Sequence, residues 1–254
     1  MAGHSQFANI KHRKGAQDKK KANRFTKLAR ELVVSARQGG GDPNYNPRLR
    51  AAMIAARKEN VPKDKIEAAI KKGSSPAGGE NYDEMRYEGY APGGVALIIE
   101  ALTDNRNRSA SDIRSLLTKF GGNLGETGSV NFMFDHVGLI HYPVAAASGD
   151  AMFEAALDAG AGNCESGEGG HEITTSVEDL NAVREALAKK FGDAEASRLA
   201  WKPKNLIPVT DKDHILKIVR IIDGLEDLDD VQHVYANYDI AEDALAAAEE
   251  ALKA

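Results

Sequence analysis

At 254 residues, with 42% hydrophobic residues, 28% charged residues and a net charge of −5, the chain has a soluble globular composition and room for two or three domains. A lone cysteine, Cys164, excludes an intramolecular disulfide, and apolar runs such as Val95 to Ile99 are far too short to cross a membrane. The first residues, Met1-Ala2-Gly3-His4-Ser5, have neither a signal-peptide apolar stretch nor the glycine directly after Met1 that myristoylation needs, so a soluble, cytoplasmic protein is expected.

The charge is unevenly spread. Residues 1–72 hold 18 Lys and Arg against 6 Asp and Glu, a net of +12, which leaves −17 for residues 73–254. Such asymmetry marks a basic module that meets a polyanion, with an acidic remainder that must face away from phosphate.

The chain opens with a stretch from His4 to Ala16 that has no periodicity and contains Lys11, His12, Arg13 and Lys14. It reads as an arm that orders on a partner. From Gln17 to Arg37, Phe25, Leu28, Leu32 and Ala36 recur at helical spacing, and Lys19, Lys20, Lys21, Arg24, Lys27 and Arg30 occupy most of the remaining surface. Gly39-Gly40-Gly41-Asp42-Pro43 ends this helix. A second helix starts at Pro47, with Leu49, Met53 and Ala56 inward, and stops at Asn60-Val61-Pro62. A third runs from Lys63 to Lys72, with Ile66, Ala69 and Ile70 inward. Each apolar stripe is narrow, so the three helices are expected to share one small core.

Between Lys11 and Arg37 the acids are Asp18 and Glu31 alone. Lysines that merely solvate helix faces do not explain that scarcity, and nucleic-acid binding does. The turn Asn60-Val61-Pro62 between helices resembles a helix-turn-helix only loosely. Lys63, Lys65, Lys71 and Lys72 on its second helix suit phosphate better than base edges.

Gly73 to Gly79 is a linker by composition. Strands are expected at Met85–Tyr90 and Val95–Leu102 around the turn Ala91-Pro92-Gly93-Gly94. A helix follows, capped from Thr103-Asp104-Asn105 and carrying Ala110, Ile113, Leu116, Leu117 and Phe120 on one side. A further strand is expected at Gly128–Phe134. Residues 138–205 read as strand 139–142, helix 151–159, strands 164–167 and 172–175, helix 177–191 and strand 197–202, the βαββαβ order of a ferredoxin-like unit. A helix 212–225 with Ile215, Ile218, Val219, Ile222 and Leu225 inward precedes strand 231–236, and the Ala- and Glu-rich tail from Ala241 reads as a short surface helix or a frayed end.

Catalytic motifs are not found. Gly89 to Gly94 lacks the Gly-Lys-Ser/Thr ending of a phosphate loop, and no Gly-x-Ser-x-Gly elbow occurs. Cys164, Glu165, Glu168, His171 and Glu172 cluster around a Gly-rich turn but fit no zinc spacing, so neither a metal nor a cofactor is expected. Thr103-Asp104-Asn105-Arg106-Asn107-Arg108-Ser109 sits where a strand feeds a helix. It reads equally as a second anion site built on Arg106 and Arg108 and as a capping loop in which Asp104 pairs one of those arginines.

Several motifs together resemble the YebC/PmpR family, to which the mitochondrial translational activator of cytochrome c oxidase also belongs. They are Met1-Ala-Gly-His-Ser5, Ala8-Asn-Ile-Lys-His-Arg-Lys14, Phe25-Thr-Lys27, Gly40-Gly-Asp-Pro43 with Asn46-Pro-Arg-Leu-Arg50, Tyr87-Glu-Gly-Tyr90 with Pro92-Gly-Gly94, Thr103-Asp-Asn-Arg-Asn-Arg108 and Gly121-Gly-Asn-Leu-Gly125. The likeness runs the full length, with Phe7 standing where the family commonly has Trp. It implies an α+β protein of three domains: a basic helical domain at 1–78, an α+β domain at 79–137 plus 206–254, and an inserted ferredoxin-like α+β domain at 138–205. It implies no enzyme activity, no small-molecule substrate and no membrane. It places nucleic-acid contacts at Lys11, His12, Arg13, Lys14, Lys19, Lys20, Lys21, Arg24 and Lys27.

Family members are described as DNA-binding transcriptional regulators, and others as ribosome-associated factors that ease synthesis of difficult sequences. The expected function is therefore a non-enzymatic, nucleic-acid-binding regulator of gene expression. The alternatives are a translation factor that binds ribosomal RNA and relieves stalling, a protein-interaction adaptor whose acidic domains meet a basic partner, and a metal hydrolase built on the Cys164–Glu172 turn.

Overall fold

The computed structural model describes residues 17–75 and 81–251, with the backbone alone for residues 17–21 and 249. The chain is a mixed α+β protein and divides into two compact units, Met1–Gly78 with His136–Ala200 and Gly79–Asp135 with Trp201–Ala254.

The first unit begins with helices α1 (Gln17–Gly39), α2 (Pro47–Lys58) and α3 (Lys63–Ser74). Pro47 occupies the first turn of α2, where its missing N–H costs nothing, and Asn46 caps the helix by accepting from the Leu49 N–H at 3.0 Å. Leu32, Val33, Val34, Ser35 and Ala36 of α1 are all buried, against Leu49, Ala52 and Ala56 of α2 and Ile66, Ala69 and Gly73 of α3. The stripe expected on α1 is therefore only half right. Leu32 and Ala36 are core, whereas Phe25 and Leu28 are half-buried, because α2 and α3 clasp the C-terminal half of the helix. No residue from Ala22 to Arg30 is buried. Gly73 lies so close to the Val33 carbonyl oxygen that a Cβ there would overlap it.

The same unit contains α5 (Gly149–Asp158), β5 (Asn163–Gly167), β6 (Gly170–Thr175) and α6 (Leu180–Phe191), with the greater part of β4 (Phe134–Tyr142) and β7 (Ala196–Pro203). Their sheet order is β5-β6-β4-β7, with β6 antiparallel to both β4 and β5. That is the order of a ferredoxin-like sheet. Ile140, Tyr142 and Ile173 from the strands pack with Met152, Ala155, Ala156, Val183 and Leu187 from the helices.

The second unit is built on β1 (Asp83–Tyr90), β2 (Ala96–Thr103), β3 (Asn123–Leu124) and β9 (Val231–Ala236), in the order β3-β1-β2-β9. Helix α4 (Arg106–Lys119) leaves β2, and α7 (Lys212–Asp227) precedes β9. Leu97 and Ile99 of β2, Ile113 and Leu117 of α4, and Ile215, Ile218, Val219, Ile222 and Leu225 of α7 form one core. A two-residue strand β8 (Ile207–Pro208) pairs in parallel with β10 (Tyr238–Asp239).

Two elements differ from the sequence expectation. Residues 128–133 form a turn and a 3-10 segment (Asn131–Met133), not a strand, because the Glu88 carboxylate takes the backbone N–H groups of Val130 and Asn131 that a ladder would have used. The tail is the expected short helix, α8 (Glu242–Ala251), exposed on one side, but its other side buries Leu245 and Ala248 in the core it shares with α7.

Candidate nucleic-acid interface

The cations named from the sequence fall into three groups. Lys11, His12, Arg13 and Lys14 lie outside the described residues. Lys19, Lys20 and Lys21 lie on the first turns of α1, where the backbone alone is described. Arg24 and Lys27 follow on the part of the helix, Ala22 to Arg30, where no residue is fully buried. Arg24 is exposed and meets Glu59 at 3.5 Å, a long contact that leaves most of the guanidinium to solvent. An exposed pair of this kind contributes little and is readily exchanged for a phosphate. Lys27 is half-buried and already has an interaction partner. On α3, Lys63, Lys65 and Lys71 are exposed, with Lys63 beside Glu67 at 3.6 Å.

The loop from α1 to α2 is the most tightly tied part of this domain. Gly40 leaves α1 with φ of 84°, a left-handed conformation that suits glycine. The Asn46 amide donates to the Ser35 carbonyl at 2.7 Å and to the Gly40 carbonyl at 2.8 Å, so every polar atom of that buried side chain is used. Arg50 donates to the carbonyls of Pro43 and Asn44, both at 3.0 Å. Arg48 holds Glu31 through two bonds of 2.7 and 3.0 Å and reaches Gln38 at 2.8 Å. These residues occupy the Asn46-Pro-Arg-Leu-Arg50 motif, whose work is to fix the loop.

In the second unit, Arg106 and Arg108 both face carboxylates. Arg106 Nε donates to Asp83 at 2.9 Å, and the bond holds the Asp83 carboxyl below its ordinary range. Arg108 Nη2 donates to Asp230 at 2.8 Å and to Asp104 at 2.6 Å. Asn105 caps α4 by accepting from the Arg108 N–H at 3.0 Å. Asp230 also accepts from Ser109 Oγ at 2.6 Å and Thr103 Oγ1 at 3.1 Å, so one buried carboxylate ties the end of β2, the start of α4 and the approach to β9. The capping-loop arrangement is what this geometry presents, with Asp104 paired to Arg108.

Cys164, Glu165 and Glu168 fall on or beside β5, and His171 and Glu172 on β6. Both ring nitrogens of His171 are taken, Nδ1 by Ser166 at 2.8 Å and Nε2 by the Ala147 carbonyl at 3.0 Å, and burial pushes the Cys164 thiol up. Among the described residues no group of three or more His, Cys, Asp or Glu side chains is placed to hold a metal ion. Among them, too, no helix is long and apolar enough to cross a membrane.

Sequence reasoning missed two organising carboxylates. Glu88 was hidden inside the strand motif Tyr87-Glu88-Gly89-Tyr90, where its presence at a position now seen to be fully buried was the available signal. Asp230 was one of a run of acids from Asp227, with nothing to single it out.

Comparison with known proteins places these features. Residues 5–76 match the model of the TACO1/YebC protein N-terminal domain, and residues 82–238 match that of the TACO1/YebC second and third domain. A crystal structure described as a conserved hypothetical protein, Aq1575 from Aquifex aeolicus, is 43% identical, with a TM-score of 0.84 over 92% of this chain and 96% of that one. With both models matched, and the helical segment and the two sheets where those models begin and end, the chain belongs to the TACO1/YebC family.

Proposed function

We propose that this protein is a non-enzymatic regulator of gene expression that binds nucleic acid through its basic N-terminal segment. One observation carries the reading: residues 1–72 hold a net charge of +12, and on the half of α1 where no residue from Ala22 to Arg30 is fully buried, Arg24 is exposed. A basic segment with an exposed arginine on its first helix, on a chain otherwise strongly acidic, is suited to a phosphate backbone. The contacts would come from Lys11, His12, Arg13, Lys14, Lys19, Lys20, Lys21, Arg24 and Lys27. The family is commonly described as transcriptional regulatory, which supports DNA as the target.

A second reading, a ribosome-associated translation factor that binds RNA, is favoured by the exposed cations of α3. Lys63, Lys65 and Lys71 are point charges suited to phosphate and poorly suited to bidentate base readout. Crosslinking in cells followed by sequencing of the bound nucleic acid separates the two, since a promoter-binding protein returns discrete DNA sites and a ribosomal factor returns ribosomal RNA. Reversing Lys19, Lys20, Lys21 and Arg24 to Glu abolishes recovery in either case. Undiminished recovery would show that the segment is a tether and the protein an adaptor.

A further inference from the structure

Tyr45 is 85% exposed, the largest exposure among the large apolar side chains of the described residues. It sits at the end of the turn Asp42–Tyr45, between α1 and α2 of the basic domain, with its N–H bonded to the Asp42 carbonyl at 3.2 Å. Among the described residues no side chain makes a ring contact or a hydrogen bond to it. A single exposed aromatic is commonplace on a protein surface. The loop beneath this one is not. Asn46 and Arg50 fasten it through the carbonyls of Ser35, Gly40, Pro43 and Asn44, and the Asp42 carboxylate is spent on the Asn44 N–H at 2.9 Å. The Arg50 partners at the base of the loop are neutral carbonyls, so its full positive charge remains beside the ring's own turn. The turn is ordered before any ligand arrives, and a tyrosine has only two side-chain torsions to fix, so presenting the ring costs little further entropy.

We infer that Tyr45 is a stacking platform for an unpaired base, making this domain a reader of single-stranded segments. The inference rests on the nucleic-acid reading above and narrows its ligand class. Cations alone attract any phosphate chain. An aromatic face held out from a cationic domain adds attraction to a base whose own face is uncovered, as in a single strand, a loop or a bulge. Bases inside a duplex already stack on each other and offer no such face.

The test uses the full chain and labelled oligouridylate, oligothymidylate, and the duplex of oligouridylate with oligoadenylate, titrated by fluorescence anisotropy over a range of salt. Tyr45→Ala is expected to weaken binding to both single strands by roughly 5- to 150-fold and to leave duplex binding unchanged. The slope of log affinity against log salt stays the same, because no cation has been removed. Tyr45→Trp keeps single-strand affinity, and its new indole is quenched on binding, against a wild type with Trp201 as its one tryptophan. Single-strand affinity equal to wild type in Tyr45→Ala overturns the inference while leaving the nucleic-acid reading intact. Equal losses on strand and duplex overturn it as well, by showing a general structural effect. Loss of ribosome co-sedimentation with strand binding preserved assigns the ring to a protein contact instead. Wild-type protein that binds none of the three probes in dilute buffer overturns both readings together.

Discussion

The Glu88 carboxylate accepts the backbone N–H of Val130 at 2.8 Å, from a side chain with no solvent exposure. The same oxygen takes the Asn131 N–H at 3.0 Å, and the Arg86 guanidinium stands 3.3 Å from the other. Burial alone would push this carboxyl up. The bonds from Val130, Gly128 and Asn131, with the Arg86 charge, outweigh it and hold the group below the ordinary glutamate range. Glu88→Ala therefore leaves the buried Val130 N–H and the part-buried Asn131 N–H without an acceptor and should cost about 3 kcal/mol in urea denaturation, with Glu88→Gln less severe. Since the folded state favours the ionised form, this stabilisation is present above about pH 4.3 and is lost as pH falls through the lowered value. A wild-type acid-unfolding curve that Glu88→Gln fails to flatten would contradict this.

Asp230 collects Ser109, Thr103 and Arg108 at one buried point. Asp230→Ala should cost about 3 kcal/mol, since two hydroxyls and a guanidinium lose their shared acceptor together, with Asp104 alone left to Arg108. Ser109→Ala combined with Asp230→Asn should cost less than the sum of the two single changes. Additive losses in a double-mutant cycle would mean the hydroxyl and the carboxylate are not coupled.

His141 on β4 is buried, with Nδ1 3.1 Å from Glu195 and Nε2 3.1 Å from the Gly169 carbonyl, while Lys58 of α2 meets Glu195 at 2.6 Å. Burial holds the imidazole below its ordinary pKa, against the opposing pull of the Gly169 carbonyl and Glu195, and Lys58 adds to the lowering. The fold thus favours neutral His141. Its contribution is complete above about pH 6.5 and is lost as pH falls through the lowered value. His141→Gln should flatten the fall in melting temperature on mild acidification, as followed by circular dichroism.

Gly73 brings the backbone of α3 close against α1. A methyl group there would strike the Val33 carbonyl oxygen and crowd Ala36. Gly73→Ala should gain helix propensity yet destabilise the protein by about 2 kcal/mol, because backbone cannot step aside as a flexible side chain can. A stabilised variant in thermal melts would show that the two helices have room to separate.

If about six cations of the basic segment meet phosphates, affinity for nucleic acid should fall by roughly three decades between 50 and 200 mM salt. Arg24→Glu should flatten that slope, while charge changes at Arg48, already committed to Glu31 and Gln38, should act on stability instead. Filter binding over a salt series reads both.

Periodicity made most of this architecture legible. Ile215, Ile218, Val219, Ile222 and Leu225 repeat at helical spacing and all are core, and the βαββαβ order read over residues 138–205 from alternating strand and helix patterns is the order of elements seen from Phe134 to Pro203. What escaped were features set by distant partners. The Gly128–Phe134 segment has a strand-like composition, but its backbone donors turn toward Glu88, about forty residues earlier in the chain. The Ala- and Glu-rich tail looked like solvated surface, because two buried residues, Leu245 and Ala248, are too few to announce a core face. At the candidate interface, charge pointed to the cations of α1. The Asp104–Arg108 pair, four residues apart, was one of the two arrangements that loop offered, whereas the pairing of Arg48 with Glu31 and of Arg108 with Asp230 depended on side-chain geometry that spacing does not encode.

The strand β9 pairs with β2 across more than a hundred intervening residues, and α7 covers the same sheet. During synthesis, β1, β2 and α4 are made long before these closing pieces, so Leu97, Ile99, Ile113 and Leu117 wait uncovered while the ferredoxin-like segment is translated. The nascent polypeptide must therefore carry a sticky, half-built layer for that interval, a natural client for a holding chaperone. Premature termination anywhere before Ile215 would release a product unable to seal its largest apolar surface.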